Sequence, residues 1–240
     1  MSFTLDAKLD LSGYSSWVRD LVHDTTESGQ AVVKHEIWTW FRDATIAREV
    51  QQNLVVGLWP LFERFPQFYS LILLKCDYGG NPAINATRSW LIKQLRSEQR
   101  TADWYRDWTD CVGVPQSRLF TEVRPAAATA VGDWCWNACE YGSLMEGLAA
   151  TGFAVKHVTG AWCRIIAASE EYPLLFPENE RRKGLRWLHA QANQYPIEAL
   201  DRISSLLGND PSANTLAGIN KAIHKTYELY VLALDAGMPA

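Results

Sequence analysis

The chain lacks most of what marks a specialised protein class. No apolar run approaches the roughly 18 residues needed to cross a bilayer, and the opening MSFTLDAKLD has no basic-then-apolar leader layout. A cytoplasmic protein without a membrane span is therefore expected. Five cysteines form no Cys-x-x-Cys pair, so neither a disulfide framework nor a thiolate zinc site is indicated. Cys135 and Cys139 lie four residues apart without His or Cys companions at ligand spacing, as small core thiols do. A formal net charge of −4 offers no basic footprint for nucleic acid. No Ser/Gly-rich linker and no 20-to-50-residue repeat divides the sequence, so one domain over 1–240 is expected, with 1–12 as an N-terminal extension.

What is present is helical periodicity nearly throughout, and convincing strand alternation nowhere. The spacing predicts helices over about 14–24, 28–42, 46–64, 66–77, 83–112, 127–150, 152–170, 178–193, 196–207 and 213–236. Breaks fall at Gly13, Pro66, Gly79-Gly80-Asn81-Pro82, Gly113-Val114-Pro115, Tyr172-Pro173 with Pro177, and Gly208-Asn209-Asp210-Pro211. The expected fold is an all-α bundle of about seven to ten helices. Hydrophobic residues make up 48% of the chain, enough for a sizeable core. The eleven tryptophans act as large anchors between helices.

Several motifs carry a resemblance. They include Tyr-Ser-Ser-Trp at 14–17, Val-Val-Lys-His-Glu at 32–36, Gly-Leu-Trp-Pro-Leu-Phe-Glu at 57–63, Ala-Asp-Trp-Tyr at 102–105, Trp-Cys-Trp at 134–136, Ala-Ala-Thr-Gly-Phe-Ala at 149–154, Thr-Gly-Ala-Trp at 159–162, Trp-Leu-His-Ala-Gln at 187–191 and Pro-Ile-Glu-Ala-Leu at 196–200. In this order, from Tyr14 to about Tyr230, the sequence resembles the heme-oxygenase-like diiron oxidases of the TenA/PqqC-like fold. The likeness is greatest to the branch that decarboxylates medium-chain fatty acids to terminal alkenes. The resemblance implies the heme-oxygenase-like bundle and a homodimer. It also implies a metal site of Glu on one helix, Glu-x-x-His on a second, Glu on a third and His-x-x-x-Asp on a fourth. The matching positions here are Glu63, Glu98 with Thr101, Lys156, and His189 with Asn193. Three of the six implied ligands, Glu63, Glu98 and His189, remain.

The residues themselves agree with an altered site. Glu98 lies on the apolar stripe Leu91, Leu95, Ala102, Tyr105, where a carboxylate needs a partner. Thr101 cannot replace a histidine nitrogen for iron, and Asn193 offers a neutral carbonyl. Lys156 shares a stripe with Met145, Ala149, Gly152, Gly160 and Cys163. It either points inward, where its ammonium repels a metal, or snorkels to solvent. His157 would replace it only after a helix rotation of about 100°. Two divalent cations would leave the implied site at about +3, so no stable diiron centre is expected, and at most one iron or manganese.

The resemblance then implies an oxidoreductase of specialised or lipid metabolism. Its substrate would be a small carboxylate- or amine-bearing molecule, with O2 as oxidant and a mononuclear or metal-free site. In the metal-free form Lys156, His189 and Glu98 serve as proton-transfer groups. A non-catalytic binding protein of the same fold stays open beside it. So does a thiaminase-like hydrolase with Cys135 as nucleophile.

Overall fold

The computed structural model describes residues 9–194 and 196–238; most of the expected extension, 1–12, lies outside them. Among the described residues there are helices and loops and no strand. The segments are α1 (Ser16–Val33), α2 (Glu36–Arg42), α3 (Arg48–Glu63), α4 (Phe65–Leu73), α5 (Pro82–Cys111), α6 (Gln116–Thr121), α7 (Ala126–Glu140), α8 (Leu144–Gly147), a π-helix (Leu148–Val155), α9 (Lys156–Ala167), a 3-10 turn (Tyr172–Leu175), α10 (Arg181–Ala192), α11 (Ile197–Leu207) and α12 (Ala213–Asp235). Nine of the described α-helices are longer than seven residues, within the expected range.

Local chemistry sets the ends. Asn81 accepts hydrogen bonds from the Ala83 and Ile84 amides, and Pro82 opens α5 where its missing N–H costs nothing. Ser212 caps α12 by accepting from Thr215 N. Ser143 and Glu146 form a reciprocal capping box that starts α8. That box corrects two expected boundaries. The helix expected over 127–150 stops at Glu140, and the one expected from 152 begins at Leu144, running unbroken through Gly152. Similarly, α1 passes the expected break at 25–27 and ends beside Lys34.

The π-helix replaces the expected break. All eight of its residues are buried, and its small side chains at Ala149, Ala150, Gly152 and Ala154 let neighbouring helices approach. A π-helix bonds i to i+5 rather than i+4, so it re-aims the side chains that follow it, and such segments recur at functional sites. The residue directly after it is Lys156.

Helix α10 packs on both α5 and α9; α4 lies against α5, and α11 lies against the π-helix. A ring stack fills their common core. Trp38 stacks on Trp162 at 4.3 Å, Trp162 lies 5.7 Å from Trp187, and Trp187 stacks on Trp108 at 5.3 Å. All four are fully buried, so the tryptophans do anchor helix to helix as the composition suggests.

Candidate active site

At one end of the α5, α9, α10 group a cleft of about 310 Å³ opens between α4, α5, the π-helix and the start of α11. Its base is an ion pair. Lys156 Nζ donates to Glu98 Oε2 at 2.8 Å, and the two side chains are only 7% and 3% exposed. The ammonium also lies 4.1 Å from the centre of the Phe65 ring, a cation–π contact. Lys156 therefore points inward and does not snorkel. Glu98 receives the partner that its place on the apolar stripe demanded.

The walls are aromatic. Tyr69 and Trp90 meet edge to face at 5.6 Å and both line the cleft. Burial, and after it the charge of Glu98, hold the Tyr69 phenol well above the usual phenol range, so it is a neutral donor. At the mouth Glu198 Oε2 accepts from Trp90 Nε1 at 2.7 Å and Gln94 Nε2 at 3.2 Å. Packing is close at Gly152, where a Cβ would sit 3.0 Å from Ala199 Cβ and 3.6 Å from the Trp90 ring. With Glu98, Lys156 and Glu198 charged, the cleft carries a net negative charge. A groove of about 510 Å³ between α1 and α12 is larger, but its lining has no buried ionisable pair.

Among the four predicted site residues, only Glu98 and Lys156 come together in the cleft. Glu63 is half-buried at the end of α3 and does not line the cleft; its charge acts on the Arg124 guanidinium instead. His189 is exposed. The inward face of α10 carries Trp187, Leu188, Gln191 and Ala192, and His189 lies two residues from both Trp187 and Gln191, roughly 200° around the helix. Asn193 is exposed at the cleft mouth and donates to the His189 carbonyl at 3.0 Å. Thr101 is buried and donates back to Ser97 O at 2.9 Å. His157 is buried beside Tyr227, with Nδ1 3.3 Å from its hydroxyl, and does not line the cleft.

A metal of the kind the resemblance implies does not fit this donor set. The Glu98 carboxylate is engaged by an ammonium, and the described residues hold no group of three His, Cys, Asp or Glu able to share an ion. A cysteine nucleophile fits no better. Cys135 is fully buried on α7, away from the cleft, and burial pushes its thiol well up. Tyr69, Trp90, Gln94 and Glu198 line the cleft but were not among the predicted site residues; Glu198 lies within the motif Pro-Ile-Glu-Ala-Leu.

The likeness to solved structures agrees with this architecture. A TenA homologue from Pseudomonas syringae pv. tomato superposes with a TM-score of 0.92 at 30% identity, covering 95% of each chain. A domain of unknown function with a heme oxygenase-like fold from Shewanella denitrificans superposes at 0.71 with 8% identity, over 96% of this chain and 93% of that one. A TenA-like protein from Sulfolobus solfataricus, proposed to be a thiaminase, superposes at 0.66 with 12% identity, over 92% and 94%. No family model and no curated protein matches the chain. The chain belongs to the TenA/heme-oxygenase-like superfamily.

Proposed function

We propose that the chain is a metal-independent enzyme that binds a small planar amine- or carboxylate-bearing molecule in this cleft, with Glu98 and Lys156 as its proton-transfer couple. The observation that carries the reading is the 2.8 Å contact between Lys156 Nζ and Glu98 Oε2 at the base of an aromatic-walled cleft. A carboxylate there can take a proton from a bound ligand, while the adjacent ammonium stabilises negative charge that develops on it. The rings of Tyr69 and Trp90 give a planar ligand a wall, and Tyr69 supplies a neutral hydroxyl donor. The net negative cleft favours an amine on the ligand.

Hydrolysis or elimination by acid–base catalysis needs no protein group beyond these. A cysteine-based thiaminase route is disfavoured by the burial of Cys135. An oxidoreductase with O2 as acceptor is carried in its metal-free form, with Glu98 removing the proton. Fatty-acid decarboxylation of the iron-dependent type has no support from the donor set. A purely binding role is favoured by one observation, the mutual neutralisation of Lys156 and Glu98, which needs no turnover to explain it.

The test is a thermal-shift screen of planar amines and carboxylates, followed by mass spectrometry of the stabilising compounds after incubation with and without a chelator. Turnover that withstands chelation and disappears in Glu98→Gln supports the proposal. Turnover lost to the chelator refutes metal independence, and binding without turnover assigns the binding role.

A further inference from the structure

Two carboxylates line the cleft, and their surroundings differ. Glu98 is buried and neutralised by the Lys156 ammonium at 2.8 Å. Glu198 is exposed and receives hydrogen bonds from neutral groups, Trp90 Nε1 at 2.7 Å and Gln94 Nε2 at 3.2 Å. None of the ion pairs among the described residues includes it. Both of those hydrogen bonds end on Oε2, so Oε1 keeps its lone pairs for a further donor. Among the described lining residues Lys156 is the one cation, and it is committed to Glu98 and the Phe65 ring. The uncompensated charge of the cleft therefore sits on Glu198, at the exposed end.

The spacing along α5 sets the length of a ligand. Trp90, Gln94 and Glu98 lie four residues apart and share one face of the helix. Glu198 docks on the first two, and the Glu98–Lys156 pair takes the third position. From Gln94 to Glu98 the helix rises about 6 Å, a span that one six-membered ring with a one-carbon arm fills. Such a ring lies against the wall formed by Tyr69 and Trp90. The charges fix its direction. A ligand ammonium is repelled by Lys156 at the base and attracted by Glu198 at the mouth, so the ring goes inward.

We infer that Glu198 is the specificity-determining residue of the cleft, and that its ligand is a primary arylalkylamine held ring-inward with its ammonium donating to Glu198 Oε1. Trp90 Nε1 and Gln94 Nε2 are positioning groups, which fix the carboxylate by its other oxygen. A hydrogen bond between an ammonium and a carboxylate is stronger than one between neutral groups, so the site prefers a protonated amine to an alcohol of the same length. The inference rests on the reading of the cleft as a small-molecule site.

Benzylamine, benzyl alcohol and benzyltrimethylammonium share a ring and a one-carbon arm. The arm carries, respectively, a charge with N–H donors, a hydroxyl without charge, and a charge without donors. Their binding to the full chain is measured by titration calorimetry for the parent, for Glu198→Gln, and for the cleft-wall variant Trp90→Leu. Benzylamine is expected to bind the parent tightest and to lose roughly tenfold in affinity in Glu198→Gln. Benzyl alcohol should bind that variant as it binds the parent, because the glutamine still offers an oxygen to Trp90 and Gln94. Unchanged benzylamine affinity in Glu198→Gln overturns the inference. Equal losses for benzylamine and benzyltrimethylammonium also overturn it, since the carboxylate then acts through its field alone. So does a loss of benzyl alcohol equal to that of benzylamine, which would make Glu198 a group that only shapes the cleft. If benzyl alcohol binds in a Trp90-dependent way and benzylamine binds no better, the anchor falls and the cleft reading stands. If none of the three binds, both fall.

Discussion

Replacing Lys156 by methionine keeps about the same volume and removes only the ammonium. In the parent that ammonium is 2.8 Å from Glu98 Oε2 and 4.1 Å from the Phe65 ring centre, with both members of the pair buried. Deleting one partner of a buried pair leaves a desolvated charge behind, at a cost of about 3–5 kcal/mol. For a chain of this size that amounts to a fall in the unfolding midpoint of about 6–20 °C at neutral pH. The cost belongs to the stranded carboxylate, so Glu98→Gln added to Lys156→Met should recover most of it. The two single variants and the double therefore form a cycle with a large coupling energy. Scanning calorimetry of the four proteins measures it directly. If Lys156→Met melts with the parent, or the double variant is no better than the single, the ammonium is not the counter-charge of Glu98 and the description of the cleft base is wrong.

Other outcomes follow from the same geometry. Lys156→Glu combined with Thr101→His should place three donors on α5 and α9 and raise iron affinity over the parent, read by titration with Fe(II); a double variant as indifferent to iron as the parent would show that these positions cannot converge on an ion. Cys135→Ala should leave ligand binding and any turnover unchanged, and in the native protein iodoacetamide at pH 7 should label half-buried Cys111 before Cys135 or Cys139, whose thiol burial pushes up to about 12; turnover lost in Cys135→Ala would restore the nucleophile. Burial raises the phenols of Tyr69, Tyr105, Tyr172 and Tyr230 above their ordinary value of 10.0. A raised folded value means the native state holds more protons than the unfolded one above about pH 10, so the stability from these groups is intact below that pH and lost as it rises. Phenolate absorbance of these four should therefore appear only with unfolding, and early titration in a native protein would contradict their burial.

The all-α class, most helix positions and the burial of Glu98 were legible in the residue spacing, because amphipathic periodicity is a local property that survives without knowledge of neighbours. α5 illustrates this, with its Asn81-Pro82 start and the stripe from Leu91 to Tyr105. Lys156 could be placed on an inward stripe but not decided between core and solvent. The deciding fact is the Glu98 carboxylate, 58 residues away in sequence. His189 against Gln191 depended on the phase of a helix, where two residues turn a side chain by roughly 200°, and the motif Trp-Leu-His-Ala-Gln does not say which member faces in. The gap expected at residue 151 is filled by the π-helix, whose close approach to Ala199 at Gly152 depends on a helix that local spacing does not contain. The sequence by itself thus determined the helices and their apolar faces. Only the tertiary structure decided which polar groups share a cleft, because that depends on the phase and register at which separate helices dock.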